Sequence, residues 1–293
     1  MLLAMTRSPQ LPPASMFAAV ELVERLDQAE ASLCADIARV AGARDPSSRW
    51  FVHPVAGGAA VFAGPGSPMN KLIGAAFGPI PDEAEMEEIE AAYAERGVPF
   101  QAEVSTLADP AFARLLLARG YVLQGYENLL ARPLSNPSET VTPSPVSVEL
   151  VSNSANDMAE WVNLLATGFA SQDVGGVGGD IVPPHDEIVH WCGLSAAAPG
   201  YRCYSARIDG AVVGGGALYV NAGVAILCGA STLPSFRRRG VQTTVLRARL
   251  DDAARLGCEY AMVTVQPGSK SQQNVQREGL ALVASRALLV KGA

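Results

Sequence analysis

Apolar positions fall into two alternating rhythms along the 293-residue chain. A period near 3.6 predicts helices over 18–42, 82–97, 108–120, 156–170, 186–197, 241–256 and 269–279. Between them lie shorter apolar runs that read as strands, at 49–64, 71–78, 96–106, 146–151, 201–208, 211–220, 223–233 and 257–266. Residues 121–132 and 280–291 each read as a strand pair. Turn residues support these boundaries. Asp209-Gly210 and Asn221-Ala222-Gly223 suit tight hairpins, and Gly97, Gly120, Gly257 and Gly279 stop helices. Asp109 with Pro110 starts the helix at 108–120 as an N-cap.

The order of elements repeats. Helix, glycine stop, strand, helix, glycine stop and strand pair occupy 82–132 and again 241–291; the spacings Gly97 to Gly120 and Gly257 to Gly279 nearly match, and 120–132 aligns with 279–291 without a gap. This predicts an internal duplication of one α/β module. Between the halves, PLSNPSETVTPSPVS at 133–147 has no apolar period and reads as a linker. The expected organisation is a loose tail at 1–14, a first module at 15–132, the linker at 133–147 and a second module at 148–293. The fold class is α/β, each module a mixed, mostly antiparallel sheet flanked by helices.

Composition narrows the function. Net charge is −7, which argues against a general nucleic-acid binder, because phosphate affinity needs a basic surface. No run is long and apolar enough for a membrane helix, and the start is a poor signal peptide. The five cysteines are odd in number and scattered, without CxxC spacing, so neither a disulfide framework nor a metal site is expected. A cytoplasmic protein is the expectation.

One stretch departs from this acidic background. SFRRRGVQTTVL at 235–246 places Arg237, Arg238, Arg239 and Gly240 between a strand and a helix. The cluster alone reads as a solvated basic turn. Its position gives a second reading, a pyrophosphate cradle, because the first helical N–H groups lack intrahelical acceptors and the helix dipole favours an anion there. The acidic run after 82 reads as a solvated helix face, and GPIPDEAE at the matching place in the first half would repel phosphate.

The stretch STLPSFRRRGVQTTVLRARL, with PGSKSQQNVQREGL downstream, resembles the acyl-CoA signature of the GNAT N-acetyltransferase superfamily. Arg237 matches the first position of the family's Gln/Arg-x-x-Gly-x-Gly/Ala motif and Gly240 its first glycine, while Gln242 stands where the family has Gly or Ala. The resemblance covers roughly 146–291 and makes the protein a tandem GNAT-like chain whose first copy has lost the cofactor loop. It implies acetyl-CoA as co-substrate, without a metal. Ser231, Thr232 and Leu233 would meet the pantetheine arm. Arg237, Arg238, Arg239, Gly240, Val241, Gln242 and Thr243 would hold the pyrophosphate, and Ser271 and Asn274 would flank the arm.

The implied reaction is acetyl transfer to a primary amine of a small molecule or peptide, by direct attack in a ternary complex. Catalytic residues are not identified. The tyrosine many members place in the last helix is Val275 here. Candidates for a base lie in SQDVGGVGGDIVPPHDE: Asp173, Asp180, His185, Asp186 and Glu187, the last two also suited to capping the next helix. His190 and Trp191 read as a packing face, and Cys228 as a buried strand thiol. A non-catalytic CoA-binding module is the alternative. Nucleic acid and membrane are not expected partners, and a homodimer stays open.

Overall fold

The computed structural model describes residues 17–134, 144–171 and 183–292. The tail expected at 1–14, positions 135–143 of the linker, and Asp173 and Asp180 lie outside the described residues. The first half supplies α1 (Val20–Arg44), β1 (Phe51–Val55), β2 (Gly58–Phe62), β3 (Lys71–Ile73), α2 (Glu83–Ala94), β4 (Phe100–Ser105), α3 (Pro110–Ala118) and β5 (Val122–Pro133). The second supplies β6 (Ser147–Leu150), α4 (Ala155–Ala170), α5 (His185–Ala196), β7 (Tyr201–Ile208), β8 (Ala211–Asn221) and β9 (Val224–Thr232). It ends with α6 (Val241–Arg255), β10 (Tyr260–Val265), α7 (Lys270–Arg277) and β11 (Ala281–Lys291). The β7–β8 and β8–β9 hairpins turn on Asp209-Gly210 and Ala222-Gly223, all four at positive φ. Asp109 caps α3 by accepting from the Ala111 N–H at 2.8 Å.

All eleven strands join one mixed sheet in the order β1-β2-β3-β4-β11-β5-β10-β9-β8-β7-β6. This corrects the expected strand pairs at 121–132 and 280–291: each run is a single long strand, β5 or β11. The two pair antiparallel with each other from Ala281↔Ala131 to Val290↔Val122. β11 also pairs with β4, and β5 with β10. The last strand of each half therefore lies inside the strands of the other. A run that stays straight finds a ladder on both sides, whereas folding into a hairpin would leave backbone groups to a new, exposed edge.

The two sheet faces follow the period-2 alternation of the strands. On β9, Val224 and Ile226 face a core formed with α1, while Ala225 and Leu227 face Leu246, Leu250 and Ala253 of α6. The same α1 core takes Leu129 and Ala131 of β5, Tyr219 of β8 and Met262 of β10, so this first-half helix seals the centre of the shared sheet. α4 packs Trp161, Leu164 and Leu165 on the same face further along, beside Cys203 and Ala217.

Beneath α1 lies a buried charge network. Arg286 of β11, only 1% exposed, pairs with Asp27 at 2.6 Å, Glu30 at 2.8 Å and Glu103 at 3.2 Å. Lys71 bridges Glu30 at 3.1 Å and Glu103 at 2.9 Å. Glu30, Glu103 and Glu127 bring carboxylates close together, but the two cations sit among them, which makes this a structural ion-pair network. Burial and the nearby Glu103 and Glu30 push the Glu127 carboxyl up to about 7.

Candidate active site

The centre of the second half contains a parting of strands. β9 and β10 pair in parallel only from Tyr260↔Val224 to Met262↔Ile226. β9 continues to Thr232 and β10 to Val265 without further pairing to each other, so the two open a cleft between their C-terminal ends. Such crevices at the C-terminal ends of parallel strands are where open α/β sheets take ligands.

On the cleft's β9 side the backbone is irregular. Its register with β8 moves from Gly215↔Ser231 to Ala217↔Cys228, leaving Gly229 and Ala230 against Gly216 alone. Gly229 has φ +52°. A buried arginine holds this bulge from the α6 face. Arg249 is 3% exposed and donates to the carbonyls of Ala217 at 2.9 Å and Cys228 at 3.1 Å. A side chain on Gly216 would come within 3.1 Å of its Cζ, so glycine there makes room for the guanidinium. Desolvation brings Arg249 down to about 10, still a cation at neutral pH. Sequence reading missed this residue. Its signal was the placement of a charge on the apolar stripe Val241–Val245–Arg249.

Beyond Thr232 the chain makes a 3-10 turn at Pro234–Phe236 and enters α6. Arg238 at φ +61° and Gly240 at φ +82° turn the backbone so that the helix begins at Val241. Gly240 is the N-cap and brings no side-chain acceptor; the Thr244 N–H is the one that returns to its carbonyl, at 3.0 Å. The N–H groups of Val241, Gln242 and Thr243 thus lead the helix without an intrahelical acceptor. Arg238 and Arg239 are exposed, the latter stacked 5.2 Å over Phe236. Arg237 also has protein partners. Its guanidinium donates to the Ser171 carbonyl at the end of α4 and to the Thr232 carbonyl at 3.4 Å, so it braces the loop between two elements.

The other expected residues sort by the same geometry. The Ser231 hydroxyl faces α4, donating to the Leu165 carbonyl at 3.5 Å, and the Leu233 N–H donates to Val213 at 3.0 Å. Thr232, at the end of β9, and Thr243, exposed at the start of α6, border the loop on either side. Ser271 is exposed on α7. Asn274 donates to the Gln242 carboxamide oxygen at 2.7 Å, a bridge between α7 and the start of α6. Val275 is buried in the core. Arg247 and Glu278 tie the same two helices with bonds of 2.8 and 2.9 Å.

The base candidates are less convergent. α5 begins one residue earlier than expected, at His185, with Pro184 as N-cap and no side-chain cap. Asp186 and Glu187 therefore lie inside the first turn, where they complement the dipole, and the expected capping by them is not present. His185, Asp186 and His190 are exposed. Trp191 packs against the α1 core, as its spacing implied. Cys228 is half-buried where a buried strand thiol was expected, and desolvation pushes its thiol up to about 11, well above the range of a reactive cysteine.

Two cavities flank Trp191. One, about 340 Å³, reaches Cys228 and Gly229 of the bulge and is lined by α1, α4, α5 and the 66–69 loop. The other, about 390 Å³, is bordered by Arg44, Asp45, Asp186, Glu187 and His190. His185 and Asp186 do not line the cavity at the bulge.

Residues 169–277 match the model of the Acetyltransferase (GNAT) family. Among solved structures, a GCN5-related N-acetyltransferase from Kribbella flavida superposes with a TM-score of 0.60 at 21% identity, over 87% of this chain and 95% of that one. A tandem GNAT protein from the clavulanic acid biosynthesis pathway superposes with a TM-score of 0.58 at 11% identity, over 94% and 97%. A GCN5-related N-acetyltransferase from Sphaerobacter thermophilus gives 0.51 at 15% identity, over 72% and 64%. No curated protein matches the chain.

Proposed function

We propose that the protein, whose residues 169–277 match the model of the Acetyltransferase (GNAT) family, transfers an acetyl group from acetyl-CoA to a primary amine, and that the second half alone holds the donor. The observation that carries this reading is the coincidence of three features: a parted β9–β10 pair, a bulge on β9, and an uncapped helix start directly after it. The N–H groups of Val241, Gln242 and Thr243 receive the pyrophosphate, with Arg238 and Arg239 adding charge. The backbone of Ser231–Leu233 lines the pantetheine arm on one side, and Ser271 and Asn274 on α7 flank it on the other. Arg237 is a positioning residue for the loop.

The bulge supplies the electrophilic end. A trans peptide points its N–H opposite to its C=O. Because Arg249 holds the Cys228 carbonyl, the Gly229 N–H points away from Arg249, on the side where β9 has left β10. That N–H polarises the thioester carbonyl, and the buried cation strengthens the peptide dipole behind it. The amine nitrogen attacks the thioester carbon; the C–N bond forms, the C–S bond breaks, and the proton released by nitrogen passes through water to the leaving thiolate. Amide and CoA thiol are the products. Holding both reactants in the cleft supplies the remaining acceleration.

Isothermal titration with acetyl-CoA, followed by a thiol-release assay over an amine panel, tests this reading. Micromolar binding and amine-dependent thiol release are expected. Binding with no turnover for any amine would favour a CoA-binding module, and failure to bind acetyl-CoA would end the assignment.

A further inference from the structure

The cavity that reaches the bulge has an unusual lining for a site that accepts amines. None of its described lining residues is charged. Leu33 and Ile37 come from α1, Met69 from the 66–69 loop, Leu165 and Phe169 from α4, and Trp191 from α5, so both halves build it. Its polar side-chain groups are the thiols of Cys192 and Cys228, the hydroxyls of Ser195 and Tyr201, and the Trp191 indole, whose buried N–H has no hydrogen-bond partner. Burial pushes the Cys192 and Cys228 thiols up to about 11 and raises the Tyr201 phenol well above its ordinary value. An ammonium ion entering here would shed water without gaining a counter-charge among the described residues, which is costly. An uncharged hydrocarbon or aromatic body would replace water at no such cost.

The second cavity decides which reactant that body belongs to. It shares the Trp191 indole as a common wall and carries Arg44, Asp45, Asp186, Glu187 and His190, so its polar lining has both signs of charge with acids in excess. An acyl chain would need only a blind apolar well at the bulge. A molecule that is apolar beside its reacting nitrogen and polar at its far end uses both spaces.

We infer that the acceptor is a primary amine carried on an apolar or aromatic body, which seats between α1, α4 and Trp191 with its polar end toward Asp186 and Glu187. This rests on the reading of Gly229 as the thioester end of the site. The nitrogen reacts as the free base, having lost its proton to solvent before entry. The amide forms as its N–H proton leaves for the thiolate through water, so no further reactant is required.

The test is a kinetic series with saturating acetyl-CoA: butylamine, hexylamine, octylamine and phenethylamine against ethanolamine and spermidine. The expected result is a rise in kcat/KM of about fourfold per added methylene until the cavity fills, with ethanolamine and spermidine at least tenfold below octylamine. Met69→Glu, at a partly exposed loop position, should lower kcat/KM for octylamine at least tenfold and leave acetyl-CoA affinity and melting temperature unchanged. Phe169→Ala, a second lining change, should lower octylamine kcat/KM and spare ethanolamine. A flat amine series, a preference for spermidine, or no turnover with intact acetyl-CoA binding would overturn the acceptor class and leave donor binding standing. Binding that strengthens from acetyl- to octanoyl-CoA, with no dependence on the amine's body, would make the cavity an acyl well and overturn it too. Loss of acetyl-CoA binding in the unmodified protein would instead fault the underlying site.

Discussion

The passages from β3 to α2 and from β9 to α6 are the same topological step with opposite electrostatics. α2 carries its own anion: the Asp82 carboxylate accepts from the Glu85 N–H at 2.8 Å, and Glu83 and Glu85 follow in the first turn. α6 starts at Gly240, which has no side chain to cap it, beside exposed Arg238 and Arg239. A helix N-terminus favours negative charge in both cases; one half satisfies it internally and the other leaves it to solvent or ligand. The strands differ in the same sense. β2 and β3 pair without a register shift, and Tyr93 of α2 donates to the Val61 carbonyl. β8 and β9 are bulged, and Arg249 of α6 reaches two carbonyls across the bulge. A duplicated fold therefore does not carry a duplicated site. A site needs backbone groups left unspent, and the first half has spent its own.

The comparison can be broken most directly by making α6 resemble α2. Gly240→Asp places a carboxylate where the pyrophosphate is proposed to sit; no atom lies within 4 Å of the new Cβ, although φ +82° puts a local strain on any side chain there. Acetyl-CoA affinity should fall about a hundredfold, equivalent to ~2.7 kcal/mol, with the fold retained. Titration calorimetry reads the first outcome and circular dichroism the second; unchanged affinity would show that phosphate binds elsewhere. Next in size is Arg249→Met. Losing the aim of one carbonyl-polarising donor should lower kcat by about 10²-fold, with acetyl-CoA KM changed less than threefold and Arg249→Lys restoring part of kcat. A variant whose kcat and KM both match the unmodified enzyme would leave Arg249 purely structural.

Two smaller effects belong to the first half. The Glu127 carboxyl, held at about 7, retains a proton that the unfolded chain releases near its ordinary pKa of about 4.3. Between those values the folded state binds more protons, so stability falls as pH rises through the window. The melting temperature should drop by a few degrees from pH 5 to pH 8, and Glu127→Gln should flatten the drop; an identical slope in the variant would place the titration on another group. Asp82→Ala should cost about 1 kcal/mol of stability through loss of the α2 cap, with acetyl-CoA affinity untouched. A change in affinity would mean that α2 communicates with the second-half site.

Most helices and the β7–β8–β9 meander were legible because each rests on local chemistry: a period, a cap, a turn that needs glycine. The helix start after Gly240 was legible for the same reason, since it is a property of a few adjacent residues. The strand pairs at 121–132 and 280–291 were misread because polar residues interrupt each apolar run, Glu127 and Asn128 in one and Ser285 and Arg286 in the other, and local pattern does not say which partner completes a ladder. The contacts of Arg237 were not legible either: its guanidinium meets the carbonyls of Ser171 and Thr232, positions that only folding brings beside it.

What the sequence by itself determined, then, was a doubled α/β pattern and one basic, glycine-started helix in an acidic chain. Tertiary structure decided that β5 and β11 exchange between the halves to make one sheet. It also decided that Arg249 supports a bulge and that α1 of the first half walls the cavity at Gly229. The first set depends on interactions within a few residues. The second depends on contacts between segments far apart in the chain, where backbone ladders and buried charges choose among partners of nearly equal local propensity.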